Sequence, residues 1–202
     1  VPFFAQEEYA CGPAALAMVM QAAGVPTTPD ALVPQVFIPA RKGSLQIELL
    51  VAARRAGLLA YVVESNLQTL LREVAAGNPV LVYQNLSLPW YPVWHYAVVI
   101  GYDRDTETLL LHSGTTQRMP ISLSAFERTW ARGAFWAMVA VQPPHLPATA
   151  TETALAPALV ALERLQPRQA GQAYAAALAQ WPTNRTFLLG MGNAAYAQGN
   201  LI

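Results

Sequence analysis

Cysteine is nearly missing from this 202-residue chain: the single one, Cys11, excludes an intramolecular disulfide and a metal cluster held by several thiolates. Charge is scarce as well. Only 12% of the residues are charged, and twelve basic and twelve acidic side chains cancel. That balance leaves no material for the one-sign patch that nucleic acid or an anionic membrane requires. Long apolar runs are lacking too. None approaches the ~18 residues of a membrane span, and the longest, such as Ala134 to Val141, are strand-sized. What the chain does have is core material, with 54% hydrophobic residues, enough for one large domain or one domain plus an appendage. It opens on Val1 rather than Met, which predicts a removed leader or a trimmed start.

The lone cysteine stands at the head of a predicted helix. Pro13 suits a first helical turn, where its missing N–H has no intrahelical partner anyway. Leu16, Val19, Met20 and Ala23 recur at helical spacing, and Gly24 is a natural stop. A thiol at a helix N-terminus lies beside unpaired N–H groups and the positive end of the dipole, and both favour the nucleophilic thiolate. Gln6, five positions earlier, can fold back and offer its amide N–H to the same place. That is a nucleophile plus an oxyanion donor. A lone cysteine is more often a small buried hydrophobe, however, and this stretch alone does not decide between the two.

Further along, Thr28 is expected to cap a short helix at 30–33, followed by an irregular loop over 34–43. Ser44 reads as the cap of a helix over 45–56 ended by Gly57, and 58–64 as a buried strand. Asn66 caps a helix through Ala76 that closes at Gly77. Strands are expected at 79–85, 95–102, 108–112, 119–121 and 135–141, with an amphipathic helix over 123–131. Helices first and an antiparallel sheet afterwards is an α+β order. Trp90, Tyr91 and Trp94, just before His95, either line a cleft for an extended peptide or pack the rim of the sheet.

Residues 142–151 form a Pro-rich linker, and beyond it Ala, Leu and Gln recur at helical spacing. Ala170, Tyr174, Ala177, Leu178 and Pro182 fall at the intervals of the second helix of a tetratricopeptide repeat (TPR), and 191–201 resembles the start of another. The expected organisation is therefore a front domain over 1–141, a linker, and an all-α TPR-like region over 152–202 whose second repeat is cut off at Ile202. A generic Ala-rich helical pair is the plainer alternative. So few repeats need support, so they should lean on the front domain; they also suggest a protein partner.

Gln6, Cys11-Gly12-Pro13-Ala14 and His95-Tyr-Ala-Val-Val-Ile-Gly-Tyr-Asp103 together resemble the C39-like branch of the papain-type cysteine peptidases, which includes the bacteriocin-leader peptidases. The resemblance covers about residues 1–141 and implies a papain-like α+β fold, with N-terminal helices packed on an antiparallel sheet. It implies hydrolysis of a peptide or protein by Cys11 as nucleophile, His95 as acid and base and Gln6 at the oxyanion, with no cofactor and no metal. It also implies a bacterial, exported protein of the periplasm or cell envelope. The leader peptidases cut after Gly-Gly and are normally fused to an export ATPase. These 202 residues hold neither a Walker-type motif nor a membrane span, so the bacteriocin role does not carry over.

One position departs from that family's pattern. An Asp on the strand after His should orient the imidazole, but His112-Ser113-Gly114 falls there. His112 is placed at the Asp position, with Ser113 beside it, while Asn85, Asp103 and Asp105 are other residues that can reach in. A site without its carboxylate also admits a catalytically weak or inactive peptide-binding module, or a repeat scaffold. Transglutaminase-like acyl transfer needs only another acceptor on the same Cys–His framework.

Overall fold

A helix that is apolar on every side has to lie in the middle of a domain. The computed structural model, which describes residues 1–5 and 10–199, puts the first helix there. In α1 (Cys11–Ala22) every residue from Gly12 to Met20 is buried. Leu16, Met18 and Val19 are wholly enclosed, and each contributes about 1.5–3 kcal/mol by leaving water. Gln6 lies outside the described residues.

The next helix, α2 (Pro29–Val36), runs longer than its sequence signals suggest, and Thr28 caps it as expected through its Oγ1, which accepts from Ala31 N at 3.3 Å. The loop expected after it contains a small ribbon, β1 (Phe37–Ile38) and β2 (Gly43–Ser44), around a 3-10 turn. The following helix, α3 (Gln46–Arg55), is preceded by Leu45 and has no side-chain cap. Ser44 is therefore not the cap predicted from its position. It belongs to the ribbon, and its carbonyl accepts the Tyr96 hydroxyl at 3.0 Å.

Then come β3 (Leu59–Val62), α4 (Leu67–Ala75) under its Asn66 cap, β4 (Val80–Asn85), β5 (Trp94–Asp103), β6 (Thr108–Ser113), β7 (Thr116–Ser122), α5 (Leu123–Arg132) and β8 (Ala137–Val141). The six long strands form one sheet in the order β3-β8-β4-β5-β6-β7, antiparallel at every pairing. Side chains alternate between its faces. Leu81, Tyr96, Val98 and Met138 pack with α1 and α3 on one face. Val82, Ala97, Val99 and Ala137 pack on the other, with Phe126 and Trp130 of α5.

The second core does not end with the sheet. Three helices, α6 (Glu152–Glu163), α7 (Pro167–Gln180) and α8 (Arg185–Ala197), follow the Pro-rich segment. Leu155, Leu159, Leu162, Tyr174 and Phe187 join the same cluster as the sheet residues. The helical region leans on the front domain through buried apolar surface, as so short a helical array must. Packing between α7 and α8 is close enough that a Cβ on Gly190 would overlap the Tyr174 ring.

Candidate active site

The geometry starts from the backbone of β5. Tyr83 pairs opposite Tyr96 across β4 and β5, but the Tyr83 N–H goes to Trp136 O at 3.1 Å, on the other side of β4. The Tyr83–Tyr96 pair is thus of the non-hydrogen-bonded kind, and the Tyr96 N–H points away from β4 toward β6. On that side β6 pairs with β5 as far as Val98 opposite His112 and ends at Ser113. The Cys11 thiol fills this notch and accepts the Tyr96 N–H.

His95 precedes Tyr96, and its ring reaches the end of β6: Nε2 lies 2.9 Å from Oγ of Ser113, the last residue of that strand. One strand's start and another's end thus bring His95 and Ser113 together, and the helix N-terminus brings Cys11 to the backbone of Tyr96, the residue after His95. Among the described residues no hydrogen bond joins the sulfur to the imidazole.

The expected orienter is not His112. That side chain faces the opposite way, edge-on to Phe3 with ring centroids 5.2 Å apart, and its Nδ1 accepts the Arg118 N–H at 3.1 Å. Alternation along the strand explains the difference, since neighbours in β6 project to opposite faces. Asn85 is engaged elsewhere as well. Its Oδ1 accepts from Ser87 N and Val93 N at 3.0 and 2.9 Å, holding the loop between β4 and β5. Asp103 accepts from Asp105 N and Thr106 N in the turn at the far end of the hairpin. No carboxylate is bonded to His95 among the described residues.

Electrostatics follow from burial. Desolvation raises the Cys11 pKa above its ordinary value, opposed by the N–H groups of Tyr96, Gly12 and Cys11 itself. The helix-end thiolate expected from sequence is thus outweighed by enclosure. Burial also holds His95 down to about 4. At neutral pH the pair rests as thiol and neutral imidazole. Stability depends on pH accordingly. Between about pH 4 and pH 6.5 the unfolded chain binds the proton that folded His95 refuses, so stability falls as pH drops through that window. The expected loss is about 3 kcal/mol, complete near pH 4. Burial shifts His112 in the same direction, so urea melts of the native protein and of His95→Ala across this window separate the two. An unchanged pH dependence in the variant would exclude His95 as the source.

Around the notch runs a file of aromatic rings. Trp94 stacks on Tyr83 at 5.0 Å, Tyr83 tilts against Tyr96 at 4.8 Å, and Tyr96 meets Trp136 edge-on at 6.1 Å. Burial, with Cys11 as a lesser electrostatic cause, pushes Tyr83 up to about 12, and burial, followed by Tyr83 and then Cys11, pushes Tyr96 upward. Sequence reading missed Tyr83, Tyr96 and Trp136 as neighbours of the site; the only local signal was Tyr96 directly after His95. Trp90 and Tyr91 stand at the loop tip, 79% and 74% exposed, with Trp94 half-exposed at its base.

Gly12 explains how the thiol is seated. A Cβ there would overlap Ser44 Oγ and stand 2.6 Å from Ser44 Cβ. Gly12→Ala should therefore push β2 off the head of α1 and cost about 1–3 kcal/mol, part of it restored by adding Ser44→Gly. Urea midpoints of the single and double variants test this; equal midpoints for Gly12→Ala and the native protein would remove the steric argument.

The profile of the family described as Peptidase_C39 like matches residues 1–138. No curated protein matches the chain. Among solved structures, a protein described as a C39-like peptidase from Bacillus anthracis is similar, with 19% identity over 70% of this chain and 94% of that one and a TM-score of 0.58. The peptidase domain of Streptococcus ComA, a bifunctional ABC transporter involved in quorum sensing, gives 19% identity, 69% and 96% coverage and a TM-score of 0.55. A double glycine motif protease from an AMS/PCAT transporter, solved in complex with the leader peptide, gives 20%, 70% and 89% with a TM-score of 0.51. At such identities these likenesses speak for the fold.

Proposed function

The chain belongs to the Peptidase_C39 like family through residues 1–138, and on that footing we propose that it is a cysteine peptidase hydrolysing peptide or protein substrates. The observation that carries the reading is that the one cysteine thiol accepts the backbone N–H of Tyr96, the residue after His95, whose Nε2 is held by Ser113. In the proposed reaction the Sγ–H proton passes to His95 as sulfur bonds to the scissile carbonyl carbon. The imidazolium then gives that proton to the departing amine nitrogen as the C–N bond breaks. Water attacks the thioester, losing its proton to His95, which returns it to sulfur as the acid leaves. The Cys11 N–H, and Gln6 as the family pattern implies, stabilise the oxyanion.

Trp94 with Tyr83 on one side, and the exposed Trp90 and Tyr91, offer walls for an extended peptide. The helices of 152–197 are proposed to dock a partner or present the substrate. A second reading, a peptide-binding module without turnover, is favoured by the absence of a carboxylate bonded to His95 among the described residues and by the enclosed, raised thiol.

Because Cys11 is the chain's one cysteine, iodoacetamide makes a clean control. A peptide library incubated with native and with alkylated protein, read by mass spectrometry, should show discrete cleavage with the first and none with the second. Peptides retained uncut by native protein would establish the binding module instead.

A further inference from the structure

We propose that Ser113 is the positioning residue of His95, its Oγ at 2.9 Å fixing Nε2 so that Nδ1 is left to take the Cys11 proton. This rests on the peptidase reading above, and deepens it by assigning the place where the family's carboxylate is missing. Three features of the fold support it. Ser113 is nearly enclosed, at 9% exposure. It closes β6 at the notch that the Cys11 sulfur enters. The register of β6 against β7 shifts between Leu111 and Ser113, which sets where the strand delivers this side chain.

A hydroxyl differs from a carboxylate in one chemical respect. It can accept from Nε2–H or donate to bare Nε2, so it fixes the ring's place without fixing its tautomer. Nor does it supply the negative charge that would hold an imidazolium, in keeping with a histidine that stays neutral until about pH 4. The pair therefore starts neutral. Proton transfer from Sγ to Nδ1 accompanies bond formation, and Nε2–H then donates to Ser113 Oγ while the ring is charged.

The test follows the His95 ring by NMR across pH in the native protein and in Ser113→Ala, Ser113→Thr and Ser113→Asp, alongside kcat and KM on a peptide that the native protein cleaves. Ser113→Asp should raise the His95 pKa by about 1 to 3 and speed iodoacetamide labelling below pH 7. Ser113→Ala should lower kcat roughly tenfold, the weight of one neutral hydrogen bond, with KM unchanged. Ser113→Thr, which keeps the hydroxyl, should restore kcat. Identical His95 titration in all four proteins, or a Ser113→Ala kcat and pH profile equal to the native ones, overturns the assignment. A titration that follows residue 113 in proteins that cleave nothing supports the positioning role and removes the peptidase reading instead.

Discussion

Exchange of His95 for Ala is expected to lower kcat/KM by about 10²–10⁴-fold, the usual weight of a positioned acid–base group. The size of the effect follows from the resting state of the site. Enclosure raises the Cys11 pKa, so few thiolates exist at neutral pH without help, and the Tyr96 N–H can stabilise sulfur but cannot remove its proton. In the proposed reaction the imidazole does that. With His95 gone, alkylation of Cys11 should climb steadily with pH toward the thiol's own raised pKa, and peptide cleavage should follow the same climb. Steady-state kinetics and iodoacetamide labelling from pH 5 to 10 measure both. Cleavage retained at native rates in His95→Ala would end the role assigned to the histidine. The substitution also removes a buried titrating ring, so it should flatten the loss of stability toward pH 4 while it abolishes most activity. A merely damaged fold would not produce that combination.

The second large effect concerns the joint between the sheet and the C-terminal helices. Glu73, wholly buried on α4, gathers four donors. Its Oε1 accepts from Thr149 N at 2.7 Å and Thr149 Oγ1 at 2.5 Å, and its Oε2 from Asn78 Nδ2 at 2.7 Å and Ala148 N at 3.2 Å. Two of these are main-chain groups of the Pro-rich segment. Glu73→Ala strands them, and each buried donor left without an acceptor costs about 1–3 kcal/mol. A total loss of roughly 4–6 kcal/mol is expected, against a typical stability of 5–15 kcal/mol for a whole protein. Glu73→Gln, which keeps one acceptor oxygen, should lose about half as much. Urea unfolding gives the magnitudes, and limited proteolysis within 142–151 shows where the chain opens. A native midpoint for Glu73→Ala would show that apolar packing alone seats the helices.

These two residues differ in how far sequence betrays them. His95 was legible because it heads a β-prone run and matches a family pattern with Cys11. Glu73 was not, since three of its four donors belong to residues about 75 positions away and nothing in the spacing connects them. Local signals succeeded where the physics is local. Thr28 and Asn66 cap their helices because each side chain reaches a backbone N–H three residues on. Ser44 carries the same signal and failed, because pairing with Phe37 drew it into the ribbon before the helix could begin. The choice between His112 and Ser113 had the same character. Sequence narrowed the orienter to one stretch, but a shifted register and the alternation of β6 select Ser113.

By itself, the sequence determined the α+β order, the apolar character of α1 and the single thiol on which the proposed chemistry rests. All of these depend on composition or on neighbours a few residues apart. Tertiary structure alone decided which hydroxyl holds the imidazole, how deeply the thiol is enclosed and what ties the last three helices down. Such features rest on strand register and desolvation, and both arise only when distant segments displace water from one another.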